Sequence, residues 1–229
     1  MSGDAEQVAL DLLLKGLLDL YGYDFTEYSR AFLLRRARIM TTQEGVERVA
    51  DLLPRVLHDE EALARCLACF SIPVTEMFRD PFVFKALREK VVPYLRTWPF
   101  LKVWHAGCAT GEEVYSMAIL LAEEDLLQRS RLYATDLSGR SLETAREGVY
   151  ATDRIKEFTG NYQKAGGEAD FSSWYRAEYG RAIMDPQLRE RVVFASHNLA
   201  TDAPFGEMHL ALCRNVLIYM TRPLQDRVL

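Results

Sequence analysis

The second half of the chain alternates apolar strand patterns with helix patterns, and this alternation restricts the possible folds most strongly. Short apolar runs predict strands at LKVWHA (101–106), RLYATD (131–136), RVVFAS (191–196) and MHLALC (208–213). A helix pattern follows each of the first two runs. Alternating strands and helices form a parallel, doubly wound sheet, which binds ligands at the carboxyl ends of its strands. We therefore expect an α/β domain over residues 85–229.

Residues 1–70 contain helix patterns and no convincing strand, so we expect a small all-helical domain before the sheet. Leucines at helical spacing predict a first helix that ends at Gly22. A second helix pattern has an arginine cluster on or beside its polar face: Arg30, Arg35, Arg36 and Arg38. These arginines form either a solvated face or a docking surface for an acidic partner.

Residues 71–84, SIPVTEMFRDPFVF, connect the two predicted domains. Pro73 and Pro81 bias the residues before them away from helix. A segment meant only to separate domains is usually plainer than this mixture of threonine, arginine and aromatic residues. We therefore expect a rigid connector that contributes to a site.

Composition and charge limit the function classes. The 229 residues are 49% hydrophobic and 27% charged, which is ordinary for a globular protein with a core. A formal net charge of −5 disfavours general nucleic-acid binding. No uncharged apolar run reaches the ~18 residues that a membrane span requires, and the N-terminus has no signal-peptide pattern. We expect a cytoplasmic protein that neither binds nucleic acid nor enters a membrane.

Cys66 and Cys69 form a C-x-x-C pair inside a helix pattern. Such a pair can be half of a metal site or a redox couple. No second Cys or His pair follows at zinc spacing, and a half-site cannot fill four coordination positions. We interpret the two cysteines as small buried residues of a helix and expect no bound metal.

The loop GCATGEE (107–113) joins the first predicted strand to the next helix. Gly107 and Gly111 do not form G-x-G-x-x-G, and no G-K-[ST] follows, so the dinucleotide fingerprint and the P-loop are both absent. Glu112 and Glu113 open the helix, where carboxylates suit the helix dipole but would repel a phosphate. The loop therefore fits a nucleoside with positive charge and no phosphate, and S-adenosylmethionine is such a ligand.

Asp136 ends the second predicted strand. In doubly wound folds an acidic residue about 20 residues beyond the glycine loop accepts hydrogen bonds from ribose hydroxyls. Asp136 could instead cap the helix that TDLSGRSLE must start. The glycine loop and this acid together are typical of a Rossmann-like, S-adenosylmethionine-dependent methyltransferase.

Five segments resemble, in order, the CheR-type chemotaxis receptor methyltransferases: VTEMFRDP, VWHAGCATGEEVYSMA, YATDLS, HNLATD and CRNVLIYM. The most distinctive parts are CRNVLIY and the T-x-x-F-R arrangement in the connector. Members of that family transfer a methyl group from S-adenosylmethionine to glutamate side chains of bacterial chemoreceptors. The resemblance implies this activity, this cofactor and a chemoreceptor cytoplasmic domain or similar signalling protein as substrate.

The resemblance also implies roles for residues of the connector and the glycine loop. Thr75 and Arg79 would contact the cofactor or lie beside the transferred methyl group. Pro73 stands where the family usually has an asparagine, so one cofactor hydrogen bond would be missing or come from elsewhere. Either Glu112 or Glu113 would meet the methionine part of the cofactor, and the spacing does not decide between them.

The loops after the later strands supply the rest of the implied site. Asn198 and Leu199 would flank the adenine, and Asn215 and Val216 would close the site. Tyr219 follows Asn215 by one helical turn, so we expect both on one helix face, with Tyr219 reaching toward the methyl group.

The implied reaction needs no general base, because a glutamate with a reference pKa of about 4.3 is already ionised at neutral pH. Arg79 would orient that carboxylate, and Tyr219 would position an oxygen or support the transition state. Two alternatives stay open: a methyltransferase for a different protein or a small acid, and a non-catalytic S-adenosylmethionine-binding signalling module.

Residues 151–190 depart from the receptor-tethered members of the family, which grip a receptor tail with a small β-subdomain here. Apart from a turn at Gly166 and Gly167, the segment shows no clean alternation, so we predict no set of three strands and no tail tethering. Substrate choice would then depend on the N-terminal arginines. The sequence stops inside a helix pattern, RPLQDRVL, so we expect the last strands of the sheet to be missing.

Overall fold

The computed structural model describes residues 2–71, 75–203 and 206–229. The helices are α1 (Ser2–Tyr21), α2 (Arg30–Glu44), α3 (Leu52–His58), α4 (Glu60–Ser71), α5 (Pro81–Ala86), α6 (Val92–Leu95), α7 (Glu112–Glu123), α8 (Gly139–Glu147), α9 (Ile155–Lys164), α10 (Pro186–Arg189) and α11 (Arg222–Val228). The strands are β1 (Leu101–Ala106), β2 (Ser130–Asp136), β3 (Val149–Ala151), β4 (Tyr175–Glu178), β5 (Arg181–Met184), β6 (Val192–Ser196) and β7 (Leu210–Leu212). Within the described residues, no helix has both the length and the apolar character to cross a membrane.

Helices α1 to α4 precede the sheet, as the helix patterns predict. Helix α1 ends at Tyr21 because Gly22 adopts a left-handed conformation with φ +75°. Buried leucines of α1 pack with Phe25, Met40 and Phe70 in one apolar core. Burial of this shared face, rather than helix propensity alone, holds the four helices together.

Cys66 and Cys69 are buried in α4, which confirms their interpretation as core residues of a helix. Burial raises the pKa of both thiols, so they are poor metal ligands and poor nucleophiles. No group of three His, Cys, Asp or Glu residues that could hold a metal occurs in the described part of the chain.

The central sheet has four parallel strands in the order β6-β2-β1-β7. This confirms the predicted doubly wound α/β fold. The chain runs from β1 outward through β2 to β6 and then returns to the other side of β1 to form β7. Such a reversal opens a crevice at the carboxyl ends of the strands, and ligands bind there.

A second sheet has three antiparallel strands in the order β3-β5-β4. The prediction that residues 151–190 contain no set of three strands is therefore wrong. Each strand has only three or four residues, which is too short for alternation to show. Tyr179 (φ +46°) and Gly180 (φ +73°) form the two-residue turn between β4 and β5. Tyrosine is unusual at such a position, so the sequence carries no clear signal for this turn. The three observed strands also remove the reason for predicting that tail tethering is absent.

The N-terminal helices dock on the chain segment that follows β7. The Ser29 N–H donates to the Tyr219 carbonyl oxygen (2.9 Å), and the Thr221 N–H donates to the Glu27 carbonyl oxygen (2.8 Å). The rings of Phe32 and Tyr219 stack with centroids 4.6 Å apart. These contacts place the helical part of the chain over the carboxyl ends of the central strands.

Candidate functional site

A cavity lies at the carboxyl ends of the central strands, where the glycine loop, the connector and the N-terminal helices meet. It encloses about 960 Å³ of empty space, part of which is open to solvent. The cavity is lined by every predicted site residue except Glu112: Thr75, Arg79, Gly107, Glu113, Asp136, Asn198, Leu199, Asn215, Val216 and Tyr219. Pro73, the departure from the family pattern, falls outside the described residues.

Gly107 brings the backbone close to the residues on the far side of the cavity. Its φ is +73°, and a Cβ added here would lie 2.4 Å from Val216 Cγ2. The Gly107 and Cys108 N–H groups both donate to the Thr135 carbonyl oxygen at 2.8 Å, which fixes the loop against β2. Only glycine satisfies both the backbone conformation and the lack of space.

Asp136 orders the two loops that meet beside it. Its Oδ2 accepts a hydrogen bond from the Ala109 N–H (2.8 Å), and its Oδ1 accepts one from the Ser138 N–H (2.9 Å). Burial raises the pKa of this carboxyl, and the backbone donors only partly offset it. Ser138 caps α8, because its side chain accepts from the Ser141 N–H (3.2 Å). Asp136 is therefore not that cap, and its carboxylate faces the cavity.

Glu113 lines the cavity and is bound on both oxygens. Its Oε1 lies 2.9 Å from Nδ1 of the fully buried His105, and its Oε2 accepts from Arg214 at 2.9 Å. Burial alone would raise the pKa of Glu113, but His105 and Arg214 outweigh it and the pKa falls below its ordinary value. Glu113 is thus an anion at neutral pH, and His105 Nδ1 is the donor to it.

Glu112 lies outside the cavity lining and is almost fully buried. Its Oε1 accepts from Arg154 (3.2 Å), and its Oε2 accepts from the Thr110 hydroxyl (2.6 Å). Burial raises the pKa of Glu112 despite these two donors. Of the two glutamates that the sequence left undecided, only Glu113 is in a position to face a ligand in this cavity.

Arg79 lies between two residues with left-handed backbone, Phe78 (φ +52°) and Asp80 (φ +55°). The Phe78 N–H donates to Ser116 Oγ (2.8 Å), and its fully buried ring packs edge-on against Phe84. Non-glycine residues in this conformation cost about 1–3 kcal/mol each and persist only where surrounding contacts enforce them. The backbone on both sides of Arg79 is therefore held in a strained conformation that presents it at the cavity.

Tyr219 reaches the cavity by a different route from the predicted one. Asn215 has φ +59°, and only a short 3₁₀ helix, Leu217–Tyr219, follows it. The prediction that the two residues share a helix face is therefore wrong, because the left-handed residue prevents a continuous helix. Stacking on Phe32 fixes the Tyr219 ring instead.

Asn198 and His197 follow β6 at the same edge. The Oδ1 of Asn198 accepts from the Ala200 N–H (3.0 Å), which leaves its Nδ2 donors for other partners. His197 lines the cavity and packs edge-on against Trp104 with ring centroids 5.6 Å apart.

Several lining residues were not predicted. Arg214 precedes Asn215 within CRNVLIY, so its place in that segment was an available signal. Others come from the helical part, far away in sequence: Phe25, Tyr28, Phe70 and Ser71. Burial and the nearby charge of Asp136 raise the pKa of Tyr28 to about 12, so its hydroxyl is a neutral hydrogen-bonding group. No sequence pattern links these residues to the sheet.

The N-terminal arginine cluster is largely engaged within the chain. Arg30 pairs with Asp11 at 2.9 Å, and Arg38 pairs with Glu6 at 2.5 Å. The Arg36 side chain donates to the Cys69 carbonyl oxygen at 2.6 Å. Arg30 and Arg38 remain solvent-exposed in these pairs, whereas Arg36 is half-buried against α4.

The chemistry of the lining suits S-adenosylmethionine. Two carboxylates, Asp136 and Glu113, can accept hydrogen bonds from hydroxyl and ammonium groups, and Arg79 can pair with a carboxylate. Val216 packs directly against Gly107, so these two loops meet at one wall of the cavity. The cavity therefore fits a cationic nucleoside better than a phosphate ester.

Comparison with known proteins gives a consistent result. Residues 73–229 match the family model described as CheR methyltransferase, SAM binding domain. The chain is 51% identical to a putative methyltransferase, Cher3, of Pseudomonas putida, over 97% of this chain and 81% of the relative. It is 28% identical to chemotaxis protein methyltransferase 1 of Pseudomonas aeruginosa, over 85% of this chain and 73% of that protein.

A third relative places the same segment in a much longer protein. The chain is 34% identical to an uncharacterised 104.1 kDa protein of Rhodobacter capsulatus, over 93% of this chain but only 22% of that protein. The family match covers most of the chain, and the cavity has the chemistry that the family's cofactor requires. The chain therefore belongs to the CheR methyltransferase family, whose cofactor is S-adenosylmethionine.

Proposed function

We propose that this protein transfers a methyl group from S-adenosylmethionine to glutamate side-chain carboxylates of a chemoreceptor cytoplasmic domain or a similar signalling protein. The observation that carries the proposal is the pairing, in one cavity, of buried carboxylates suited to the cofactor with Arg79, a cation suited to a carboxylate substrate. Relatives named chemotaxis protein methyltransferase support the same substrate class.

The cofactor would be held by residues from four loops. Asp136 would accept from the ribose hydroxyls, and Glu113 would accept from the ammonium group of the methionine part. Asn198 and Leu199 would flank the adenine, and Thr75 would close the methionine end. When bound, S-adenosylmethionine supplies a methyl group on a positively charged sulfur.

The chain's own part in the reaction is mainly to align the groups. A substrate glutamate is already ionised at neutral pH, so no residue has to remove a proton. Arg79 would orient the incoming carboxylate, and the Tyr219 hydroxyl, held by the ring stack on Phe32, would lie beside the reacting groups. Alignment of this kind can lower a barrier by roughly 7–11 kcal/mol.

Methyl transfer to chemoreceptor cytoplasmic fragments tests the proposal. With S-adenosylmethionine labelled in its methyl group, we expect label in the receptor fragment, released by mild base because methyl esters hydrolyse and methylamines do not. Asp136→Ala is the matched negative control. Base-stable label would contradict the ester and indicate a different target group. Binding of S-adenosylhomocysteine without any transfer would instead support a non-catalytic signalling module.

A further inference from the structure

Two arginines from distant loops make the same kind of contact at the two ends of the connector. Arg154 lies between β3 and α9, in the segment that contains the second sheet. One of its terminal nitrogens donates to Glu112 Oε1 (3.2 Å), and the other donates to the Thr75 carbonyl oxygen (2.8 Å). Its guanidinium also lies over the Phe158 ring, 4.7 Å from the centroid. Arg154 thus joins Thr75 of the connector to the start of α7.

Arg214, just after β7, repeats this arrangement at the other end. One terminal nitrogen donates to Glu113 Oε2 (2.9 Å). The other donates to the Arg79 carbonyl oxygen (2.8 Å) and to Asp80 Oδ2 (2.9 Å). The planar guanidinium can bridge a carboxylate and a carbonyl in this way, whereas the single ammonium of a lysine does so poorly.

Both anchoring carboxylates are fixed on their far side as well. Glu112 accepts from the Thr110 hydroxyl, and Glu113 is bound by His105 on β1. The Glu112 side chain is 3% exposed and that of Glu113 is 16% exposed, so both carboxylates are shielded from water, although the Arg154 side chain is itself 38% exposed. Shielded charge-assisted hydrogen bonds are stronger than those at a surface, and each arginine has a rigid anchor.

The connector between these contacts needs external support. Phe78 and Asp80 both have left-handed backbone, which an isolated peptide of this sequence would avoid. Phe78 is held in the middle by its buried ring and by Ser116. The two ends, which bear Thr75 and Arg79, are held by Arg154 and Arg214.

We propose that Arg154 and Arg214 are positioning residues which, with Glu112 and Glu113, form a double clasp. The double clasp fixes residues 75–80 against the cofactor cavity and so sets where Thr75 and Arg79 lie. This inference rests on the proposed function, because the position of Arg79 matters for catalysis only if Arg79 orients the substrate. It also gives Glu112 a role, although that residue does not line the cavity.

Hydrogen–deuterium exchange of the ligand-free protein tests the clasp directly. We expect Arg154→Met and Arg214→Met each to speed exchange in peptides covering 75–80 by about tenfold or more, since each removes hydrogen bonds from a charged donor. Arg191→Met is the matched control, because Arg191 binds the backbone and side chain of Gln128 far from the connector. Connector exchange equal to that of the control in both variants would overturn the clasp.

Kinetic measurements distinguish a loss of connector positioning from a general loss of protein stability. We expect kcat of Arg154→Met to fall about tenfold, and Arg154→Lys to recover part of this loss. The melting temperature of Arg154→Met should equal that of Arg191→Met. An unchanged kcat alongside faster connector exchange would show that the clasp does not set the position of Arg79. If the wild-type protein binds no S-adenosylhomocysteine, the proposed function fails, while the exchange experiment still decides whether the clasp exists.

Discussion

Adjacent residues at the start of α7 have different roles. Glu112 and Glu113 point about 100° apart around the helix, so one enters the cavity and the other is buried beside Thr110 and Arg154. Their pKa values consequently shift in opposite directions from the ordinary value. The neighbours of each carboxylate, rather than its residue type, decide its charge and its access to a ligand.

This difference predicts different responses to the same substitution. Glu113→Gln should weaken S-adenosylhomocysteine binding about tenfold or more, because it removes a charged acceptor from the cavity. Glu112→Gln keeps an oxygen acceptor for Arg154 and should change the affinity much less. Isothermal titration of both variants measures this, and an equal loss of affinity would contradict the assignment.

Substitutions of Asp136 and Arg79 should affect cofactor binding and turnover differently. Asp136→Ala removes the acceptor proposed for the ribose, so we expect the dissociation constant for S-adenosylhomocysteine to rise about tenfold or more. Arg79→Ala should reduce turnover more than cofactor affinity, because Arg79 is proposed to orient the substrate. Calorimetry and initial rates provide the two measurements, and unchanged affinity in Asp136→Ala would refute the ribose assignment.

At the scale of elements, short loops determine the site more than the strands and helices that they join. The glycine loop places Gly107 against Val216, and the connector holds Arg79 between two left-handed residues. The turn between β4 and β5 likewise depends on Tyr179, whose side chain is fully exposed. In each case the backbone conformation of one or two residues sets the geometry.

The glycine loop offers a matched pair of substitutions. Gly107→Ala should destabilise the protein by roughly 1–3 kcal/mol and impair cofactor binding, because its backbone is left-handed and its Cβ would clash with Val216. Ala109→Gly should be tolerated, because Ala109 already has φ +48° and glycine relieves that strain. Urea unfolding and calorimetry test this, and equal losses in both variants would count against the loop geometry.

At the scale of the whole molecule, the buried residues form two clusters, one mostly before the connector and one that joins Met77, Phe78 and Phe84 of the connector to the residues after it. On this basis we propose a helical domain over 1–70, a connector over 71–84 and a methyltransferase domain over 85–229. The cavity draws residues from all three parts. Cofactor binding should therefore stabilise the contact between the domains as well as the sheet.

Stability should depend on pH through Glu44 in the helical part. A hydrogen bond from Arg65 (2.6 Å) lowers the pKa of Glu44 below its ordinary value. The Glu44 carboxylate thus binds a proton less readily in the folded state than in the unfolded chain. Its contribution to the free energy of unfolding is therefore present above the ordinary pKa of glutamate, and it is lost as the pH falls through the lowered pKa of the folded state. We expect Arg65→Met to lower the free energy of unfolding at pH 7, with a smaller difference at pH ~3.

Urea unfolding at the two pH values measures this effect. Arg191→Met is again the control, because its partner Gln128 does not titrate and its effect should not vary with pH. A difference for Arg65→Met that stays constant between the two pH values would contradict the role of Glu44.

The kinds and order of the main elements, the parallel sheet and the class of ligand follow from the amino-acid sequence alone. Ten of the lining residues were named from the glycine loop, from Asp136 and from the resemblance of five segments to the CheR-type methyltransferases. The sequence does not reveal the short strands of the second sheet or the turn at Tyr179, because segments of three or four residues show no clear periodicity.

The packing of distant segments determines which glutamate faces the cavity, how Tyr219 is held, and that Tyr28 and Arg214 line the cavity. The same packing brings Arg154 and Arg214 within hydrogen-bonding distance of carbonyl oxygens of the connector. These features depend on contacts between residues far apart in the chain and on single left-handed residues. Local patterns carry no information about such contacts, because their free energy arises only when distant segments pack together.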